Sequence, residues 1–297
     1  MKCDLCPRKC LVDRKKGEKG ICGQTENLKV ARAALHFWEE PCISGDAGSG
    51  AVFFSGCPLH CVFCQNENIA NGTVGKEISL ERLVDIFLEL QEKRANNINL
   101  VTPGHFVPQI VKALDQARKE GLTLPVVYNT SSYETVDTIK MLEGYVDIYL
   151  PDFKYMSPVL SKKYSHAPDY AEVAKAAIAE MVRQTGKAVF VNGDEDNLIL
   201  RGTIVRHLTL PGCMADSMQI LKYLHDTYGD MIYISIMNQF TPLSNLEKYP
   251  ELNRRITDEE YETLVDYAID IGIENGFIQE GDTAEESFIP AFDCEGV

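Results

Sequence analysis

The sequence is poor in basic residues. It has 29 Lys and Arg against 44 Asp and Glu, which gives a formal net charge of −15. Proteins that bind nucleic acid need clustered Lys and Arg to neutralise phosphates, so this deficit argues against a nucleic-acid partner. A small anionic substrate stays compatible with the composition, because one pocket can be basic on an acidic protein.

Long apolar runs are missing as well. No window of about 18 apolar residues occurs, so we expect neither a transmembrane helix nor a membrane partner. The first four residues, Met-Lys-Cys-Asp, lack the apolar core of a secretory signal, and we therefore expect a cytoplasmic protein. Ten cysteines in a reducing compartment indicate metal ligation or redox chemistry rather than disulfides.

The chain divides into three parts by composition. Residues 1–45 are cysteine-dense and predict an irregular metal-binding N-terminal module, followed by a Gly-rich hinge at Gly45–Gly50. Residues 46–275 alternate short apolar runs with helical periodicity and predict the main domain. Residues 276–297 are polar and predict a tail that packs on the main domain or covers an opening in it.

The main domain reads as six consecutive βα units. Near-continuous apolar strands of this kind are typical of a parallel sheet that is covered on both faces. Six strands are too few for a closed eight-stranded barrel, so we predict a partial (β/α)6 TIM-type barrel with its site at the carboxyl ends of the strands. A further small strand or hairpin is expected at 188–191. The six predicted strands are Ala51–Ser55, Ile98–Thr102, Pro125–Asn129, Val146–Leu150, Ile204–Leu210 and Met231–Ile236.

Local signals mark the helix ends. Ser79 is a predicted N-cap, and Pro108 suits the first turn of a helix that Gly121 ends. Thr257 and Glu260 have the spacing of a capping box.

Three cysteines directly follow the first strand, in the spacing Cys57-x3-Cys61-x2-Cys64. Three thiolates on one short loop can hold three irons of a [4Fe-4S] cubane and leave the fourth iron open to a ligand. The alternative is a zinc knuckle. Zinc usually takes four ligands in a structural site, and His60, the nearest further ligand, abuts Cys61 and would point away.

This loop resembles the cysteine motif of the radical S-adenosylmethionine (radical SAM) superfamily, in which an aromatic residue precedes the last cysteine, as Phe63 does here. The resemblance implies a partial barrel and a cluster whose open iron binds S-adenosylmethionine. It also implies one-electron cleavage of that cofactor to a 5′-deoxyadenosyl radical, which abstracts a hydrogen atom.

Other segments are similar to those of glycyl-radical-enzyme activating enzymes, in the branch that resembles the pyruvate formate-lyase activating enzyme. This finer resemblance implies a partner enzyme whose backbone glycine loses a hydrogen atom, and an electron donor of the flavodoxin or ferredoxin type. The similar segments are 36–41 (HFWEEP), 42–45 (CISG), 53–57 (FFSGC), 101–105 (VTPGH) and 288–293 (FIPAFD).

The second strand ends in Thr102-Pro103-Gly104-His105, where the superfamily commonly has Gly-Gly-Glu. Gly104 still permits a close approach of the backbone to the cofactor, but Pro103 has no N–H to offer its amino group. His105 is a candidate catalytic residue, and an ordinary residue at a helix start is the alternative.

Polar residues end the third and fourth strands as well. Asn129 and Thr130 are candidate cofactor contacts, although a turn or helix cap also explains them. Asp152 and Lys154 are similar to an Asp-x-Lys of activating enzymes whose lysine contacts the cofactor carboxylate. A purely structural Asp152–Lys154 pair is the alternative.

The last two strands provide three further candidates. Arg206 is similar to an arginine of activating enzymes and could bind the cofactor carboxylate as a fork. Gln239 is a candidate for contact with the ribose or adenine, unless it caps its loop. Cys213 follows Pro-Gly at the same rim and could donate a hydrogen atom, whereas an inert half-buried thiol is the plainer interpretation.

The N-terminal module contains Cys3, Cys6, Cys10 and Cys22. Four thiolates on a short segment complete a tetrahedral metal site or hold an iron–sulfur cluster. Thiolates suit zinc and iron equally, so the sequence predicts a second metal without choosing between them.

The leading hypothesis is therefore a radical SAM enzyme that activates a partner by abstracting hydrogen from a glycine. One rival is a radical SAM enzyme that acts on a small molecule or a peptide. A rival from another class is a non-catalytic metal-binding or electron-transfer protein.

Overall fold

The computed structural model describes residues 2–194, 197–242, 246–279, 290 and 292–297. Its strands are β1 Leu28–His36, β2 Ser49–Phe54, β3 Lys76–Ile78, β4 Ile98–Val101, β5 Val126–Thr130, β6 Ile148–Pro151, β7 Val189–Phe190, β8 Ile199–Leu208, β9 Tyr233–Met237 and β10 Gly276–Ile278. Its helices are α1 Pro41–Ser44, α2 Glu67–Ala70, α3 Leu80–Glu92, α4 Val107–Lys119, α5 Val136–Lys140, α6 Pro158–Ser165, α7 Tyr170–Thr185, α8 Met214–Tyr228 and α9 Asp258–Asp270. Single turns of 3-10 helix occur between them.

One sheet runs through the molecule in the order β10-β9-β8-β6-β5-β4-β2-β1-β3, and β7 pairs with β8 as a short antiparallel hairpin. The strands from β2 to β10 along this path are parallel, whereas β1 is antiparallel to β2 and to β3. The sheet stays open, with β3 and β10 at its two ends. The predicted partial barrel is confirmed, as is the predicted hairpin at 188–191.

Some expectations were wrong in detail. Residues 28–36 of the supposedly irregular N-terminal segment form β1, which lies within the main sheet. The Gly-rich hinge is shorter than expected, since Ser49 and Gly50 already belong to β2. Residues 276–278 of the tail add β10, a seventh parallel strand. The Ala-rich β1 and the three-residue β10 are hard to recognise in the sequence, because strands are identified by runs of β-branched and aromatic residues.

The helix-end signals behave as expected. Ser79 Oγ accepts a hydrogen bond from the backbone N–H of Arg82 at 3.1 Å, and Thr257 and Glu260 form a reciprocal capping box before α9. Pro108 lies in the first turn of α4, which ends two residues before Gly121. Across the described ranges, no helix combines the length and the apolar character needed to span a membrane.

The segment 37–45, which we call the bottom plug, closes the barrel beneath the N-terminal ends of its strands. Asn97, just before β4, donates from its side chain to the carbonyl oxygen of Ile43 at 2.8 Å. Asn96 likewise donates to Ser44 at 2.6 Å. Cys42 and Ile43 are buried among apolar side chains of β5, β6, β8 and β9. The plug therefore forms the floor of the barrel, opposite the rim that follows the strands.

His207 on β8 gives the fold a pH dependence. It is buried between the carbonyl oxygen of Phe153 and the hydroxyl of Ser217, and burial lowers its pKa to about 4. An unfolded histidine takes up a proton near pH 6.5, so this contribution to stability is complete above that pH and is lost as the pH falls towards 4. Between pH 7 and pH 5 the loss from His207 is expected to be about 2 kcal/mol. Urea unfolding at the two pH values tests this, because His207→Asn must show a correspondingly smaller pH dependence.

Candidate active site

A cavity of about 440 Å³ occupies the inside of the barrel. Its rim is lined by the cysteine loop that follows β2, and its floor by residues 38–41 of the bottom plug. Polar side chains from β5, β8 and β9 and from the loop after β6 lie between these two ends. A volume of this size is typical of a small-molecule site.

The cysteine loop places Cys57, Cys61 and Cys64 together on the cavity wall. Burial raises the pKa of all three thiols, to about 11 for Cys57 and about 12 for Cys64. The charge of Cys61 raises the pKa of both of the others, so the three sulfurs are close neighbours. The hydroxyl of Ser165 donates to Cys61 Sγ at 3.0 Å and fixes the orientation of this thiol.

Arg206 is the centre of a buried polar network that lines the same cavity. Its Nε donates to Asp152 Oδ1 at 3.0 Å, its Nη1 to Glu39 Oε2 at 2.9 Å and its Nη2 to Asn129 Oδ1 at 2.6 Å. Asn129 in turn donates to Glu39 Oε1 at 3.1 Å. The network joins β5, β6 and β8 to the bottom plug and uses three of the five guanidinium donors.

Lys154 completes this network on the side of the cysteine loop. Its Nζ donates to Asp152 Oδ2 at 2.6 Å. The Lys154 and Arg206 charges lower the pKa of Asp152 despite its burial, so this carboxylate stays ionised. The Lys154 charge also favours the thiolate form of Cys61. The Asp152–Lys154 pair expected from the sequence exists, and it lies on the cavity.

Two adjacent carboxylates lie at the floor. Glu39 accepts from Arg206, Asn129 and, at 3.2 Å, from Asn99, so both of its oxygens are satisfied. Glu40 is only 8% exposed, and burial raises its pKa. Its Oε2 atom has no hydrogen-bond partner among the residues that the structure describes.

The remaining predicted cofactor contacts divide into two groups. Thr130 and Gln239 line the cavity, but the hydroxyl of Thr130 donates to buried Glu134, and the side-chain amide of Gln239 donates to Met237 Sδ at 3.5 Å. Gly104 is not among the described lining residues and packs instead against the Glu134 carboxylate, which an added Cβ would meet at 2.9 Å.

His105 and Cys213, the predicted catalytic candidates, also lie away from the described cavity wall. Buried His105 donates from Nε2 to the carbonyl oxygen of Ser55 at 2.7 Å, and burial lowers its pKa to about 3. Cys213 is the N-cap residue of α8, and burial raises its pKa to about 11. Neither group is poised as an acid, a base or a thiolate.

The N-terminal cysteines pack against the back of the cysteine loop. Arg8 donates from Nε to the carbonyl oxygen of Pro58 at 2.9 Å and from Nη2 to Ser165 at 3.1 Å. His60 Nε2 donates to Ile21 at 2.8 Å. Gly56 adopts a φ of 93°, and a Cβ there would meet the Cys22 carbonyl oxygen at 2.4 Å, so only glycine fits.

The four N-terminal thiols are neighbours, since burial and the charges of Cys22, Cys10 and Cys3 raise the pKa of Cys6 to about 12. In the described part of the chain, no group of three or more His, Cys, Asp or Glu side chains is arranged to hold one metal ion. The second metal at these cysteines stays a prediction.

Comparison with known proteins identifies the central part of the chain. The model of the Radical SAM superfamily matches residues 51–197, which include most of β2, the cysteine loop and the strands β3 to β7. Those residues form a radical SAM domain. An uncharacterized protein of Methanocaldococcus jannaschii is 27% identical over 275 residues, which are 90% of this chain and 74% of that protein.

Solved structures share the fold of this radical SAM domain at low sequence identity. SuiB of Streptococcus suis, solved with S-adenosylmethionine, superposes with a TM-score of 0.52 at 12% identity over 76% of this chain and 49% of its own. HydG, a maturase of the [FeFe]-hydrogenase, superposes with a TM-score of 0.51 at 15% identity over 78% of this chain and 52% of its own. This chain therefore matches about half the length of these two proteins.

A radical SAM domain implies a [4Fe-4S] cluster and S-adenosylmethionine, and the residues present fit both groups. Cys57, Cys61 and Cys64 provide three neighbouring soft ligands, as a cubane with one open iron requires. The donors of Lys154 and Arg206 lie on the same cavity for an anionic group.

Sequence reasoning missed the residues of the floor. Glu39 and Glu40 were noticed only within a similar segment, and Asn99 and Ser235 were not singled out. One sequence signal was present, because Glu39 and Glu40 lie between an apolar segment and Pro41. Buried carboxylates need partners, so their position indicated either exposure or a polar site. Their position inside the barrel depends on β1 joining the sheet.

Proposed function

We propose that this chain reductively cleaves S-adenosylmethionine and uses the resulting radical to abstract a hydrogen atom from a substrate in the barrel cavity. One observation supports it above all. Cys57, Cys61 and Cys64 line the same cavity as the charged strand ends of the radical SAM domain, so the cluster, its cofactor and a substrate would share one chamber.

The residues have distinct proposed roles. The three thiolates hold the cluster, and Ser165 and Lys154 stabilise the anionic sulfur of Cys61. Lys154 has spare ammonium donors and Arg206 has spare guanidinium donors, which can bind the cofactor carboxylate while their internal bonds persist. When bound, the cluster and cofactor supply a 5′-deoxyadenosyl radical on receipt of one electron, with methionine as the other product. A flavodoxin or ferredoxin is the proposed source of that electron.

The substrate has two candidate classes. The sequence resemblance favours a backbone glycine of a partner enzyme, which would enter through the open side of the barrel. The geometry favours a small molecule or a peptide side chain, because the cavity continues down to an unsatisfied buried carboxylate at Glu40. A partner glycine has no charge that this carboxylate would bind.

The radical function is tested by anaerobic reconstitution with iron and sulfide, followed by addition of dithionite and S-adenosylmethionine. We expect methionine and 5′-deoxyadenosine in equal amounts. A reconstituted protein that contains the cluster but forms no deoxyadenosine would count against the proposal and favour the non-catalytic electron-transfer alternative. If a glycyl radical forms on an added partner, electron paramagnetic resonance will detect it.

The N-terminal module is proposed to carry a second metal, either zinc or an iron–sulfur cluster, that stabilises the support behind the cysteine loop. Its contacts through Arg8, His60 and Cys22 support this role. Iron, sulfide and zinc analysis after anaerobic purification, with and without the Cys22→Ala substitution, measures that metal separately from the radical SAM cluster.

A further inference from the structure

The bottom plug contributes an unusual carboxylate to the cavity. Glu40 is the N-cap residue of α1, and its backbone is fixed because the carbonyl oxygen of Glu40 accepts from the amides of Ile43 and Ser44 at 2.8 and 3.0 Å. Its side chain is buried, lines the cavity and bonds to Ser235 on β9, while Oε2 has no partner within the described residues. A buried carboxylate oxygen without a partner is costly, so a ligand is the natural source of the missing donor.

The charges around the cavity are unequal. Among the described lining residues, the carboxylates are Glu39, Glu40 and Asp152, and the cations are Lys154 and Arg206. Both cations are already hydrogen-bonded to Asp152 or Glu39. The Arg206 charge reaches Glu40 without a hydrogen bond to it, and burial still raises the pKa of this carboxyl. An ammonium group on a ligand would pair with the carboxylate charge that these side chains leave over and would donate to Oε2.

The Glu40 carboxyl lies inside the barrel beside the Arg206 network. It bonds to Ser235 on β9, and Ser235 is the register partner of Arg206 on β8. Glu40 and the three cysteines line the same cavity. Because both cations of that cavity are bonded to other carboxylates, a positive group that meets Glu40 must come from a ligand. The titrations below are made with the cofactor bound, so they report a group other than the amino group of the cofactor.

We propose that Glu40 anchors the protonated amino group of the substrate in the cavity that the cysteine loop also lines. This inference rests on the proposed radical function, which places the substrate in this cavity. It extends that function by assigning the substrate class, an alkylammonium compound or a lysine side chain, and the residue that selects it.

Binding can be measured without catalysis. The cluster-reconstituted protein with S-adenosylmethionine and no reductant is titrated with 1-aminopentane and with 1-pentanol, its uncharged counterpart of similar shape. We expect the amine to bind at least 10-fold more tightly. Equal affinity, or no detectable binding of either compound, would overturn the assignment. This comparison uses the wild-type protein, so it does not depend on a variant that folds.

The variant Glu40→Gln removes the charge and is expected to abolish the preference for the amine. Asp46→Asn, an exposed carboxylate just after the plug, is the matched control and should retain it. If Glu40→Gln keeps the preference, the anchor is elsewhere and the inference is wrong. Titration with lysine amide and with acetyl-Gly-Lys-Gly-amide then separates a free amine from a peptide.

The two proposals fail in different ways. Deoxyadenosine formation without an amine preference contradicts the Glu40 anchor and leaves the radical function intact. An amine preference without deoxyadenosine formation supports the anchor and contradicts the radical function.

Discussion

Cys61→Ala is expected to abolish S-adenosylmethionine cleavage and to remove one cluster's worth of iron and sulfide from the protein. Cys61 is the thiol that both Ser165 and Lys154 stabilise, and a cubane held by only two sulfurs loses its iron readily. Mutation of a residue that only hydrogen-bonds to a metal ligand typically lowers metal affinity or activity by roughly 10- to 100-fold. Removal of the ligand itself should have a larger effect. Iron analysis and deoxyadenosine formation after anaerobic reconstitution measure both effects.

A cysteine outside both metal sites provides the control. Cys294→Ala changes a thiol in the C-terminal segment beside β1 and should leave iron content and activity as they are. Ser165→Ala should weaken activity less than Cys61→Ala, because it removes one hydrogen bond to the sulfur and leaves the ligand in place. Full iron content and activity in Cys61→Ala would refute the assignment of the cysteine loop to a cluster.

Arg206→Met is expected to give the largest loss of stability. It leaves the carboxylates of Asp152 and Glu39 buried without their shared cation, and it removes the donor to Asn129. Breaking a buried pair by removal of one partner costs about 3 to 5 kcal/mol, because the remaining charge is left uncompensated. Urea unfolding of the protein measures the difference.

Arg183→Met is the matched control for this experiment. Arg183 also bonds two carboxylates, those of Glu180 and Glu143, but its side chain is half-exposed and water replaces the lost contacts. We expect a much smaller loss of stability for this variant. Equal losses for Arg183→Met and Arg206→Met would mean that water reaches the network around Arg206 and that its charges are not buried.

Much of the barrel could be predicted from the sequence because parallel strands buried on both faces are continuous apolar runs. The strands β2, β4, β5, β6, β8 and β9 were all expected near their observed positions. The cysteine loop was equally plain, since its ligands lie within eight residues and owe their proximity to covalent connection. Strand ends then placed Asn129, Asp152, Lys154 and Arg206 at one rim, because parallel strands end on the same side.

The floor could not be predicted in this way. Strand β1 and the bottom plug precede the cysteine loop in the chain, and they read as part of a separate irregular module. They join the barrel only because β1 pairs with β2, which carries Glu39 and Glu40 into the cavity. His105 and Cys213 illustrate the reverse case, since their positions along the chain suggested chemistry while neither is among the residues that line the described cavity.

The sequence by itself determined the parts of this protein that depend on near neighbours: the cysteine spacing, the helix caps and the alternation of strands and helices. These follow from local geometry and covalent distance. Only the tertiary structure decided which carboxylates meet Arg206, that Glu40 is left without a donor, and that the N-terminal cysteines support the loop from behind. Such contacts join residues dozens of positions apart, and their pairing is settled by the way the open sheet curves around one chamber.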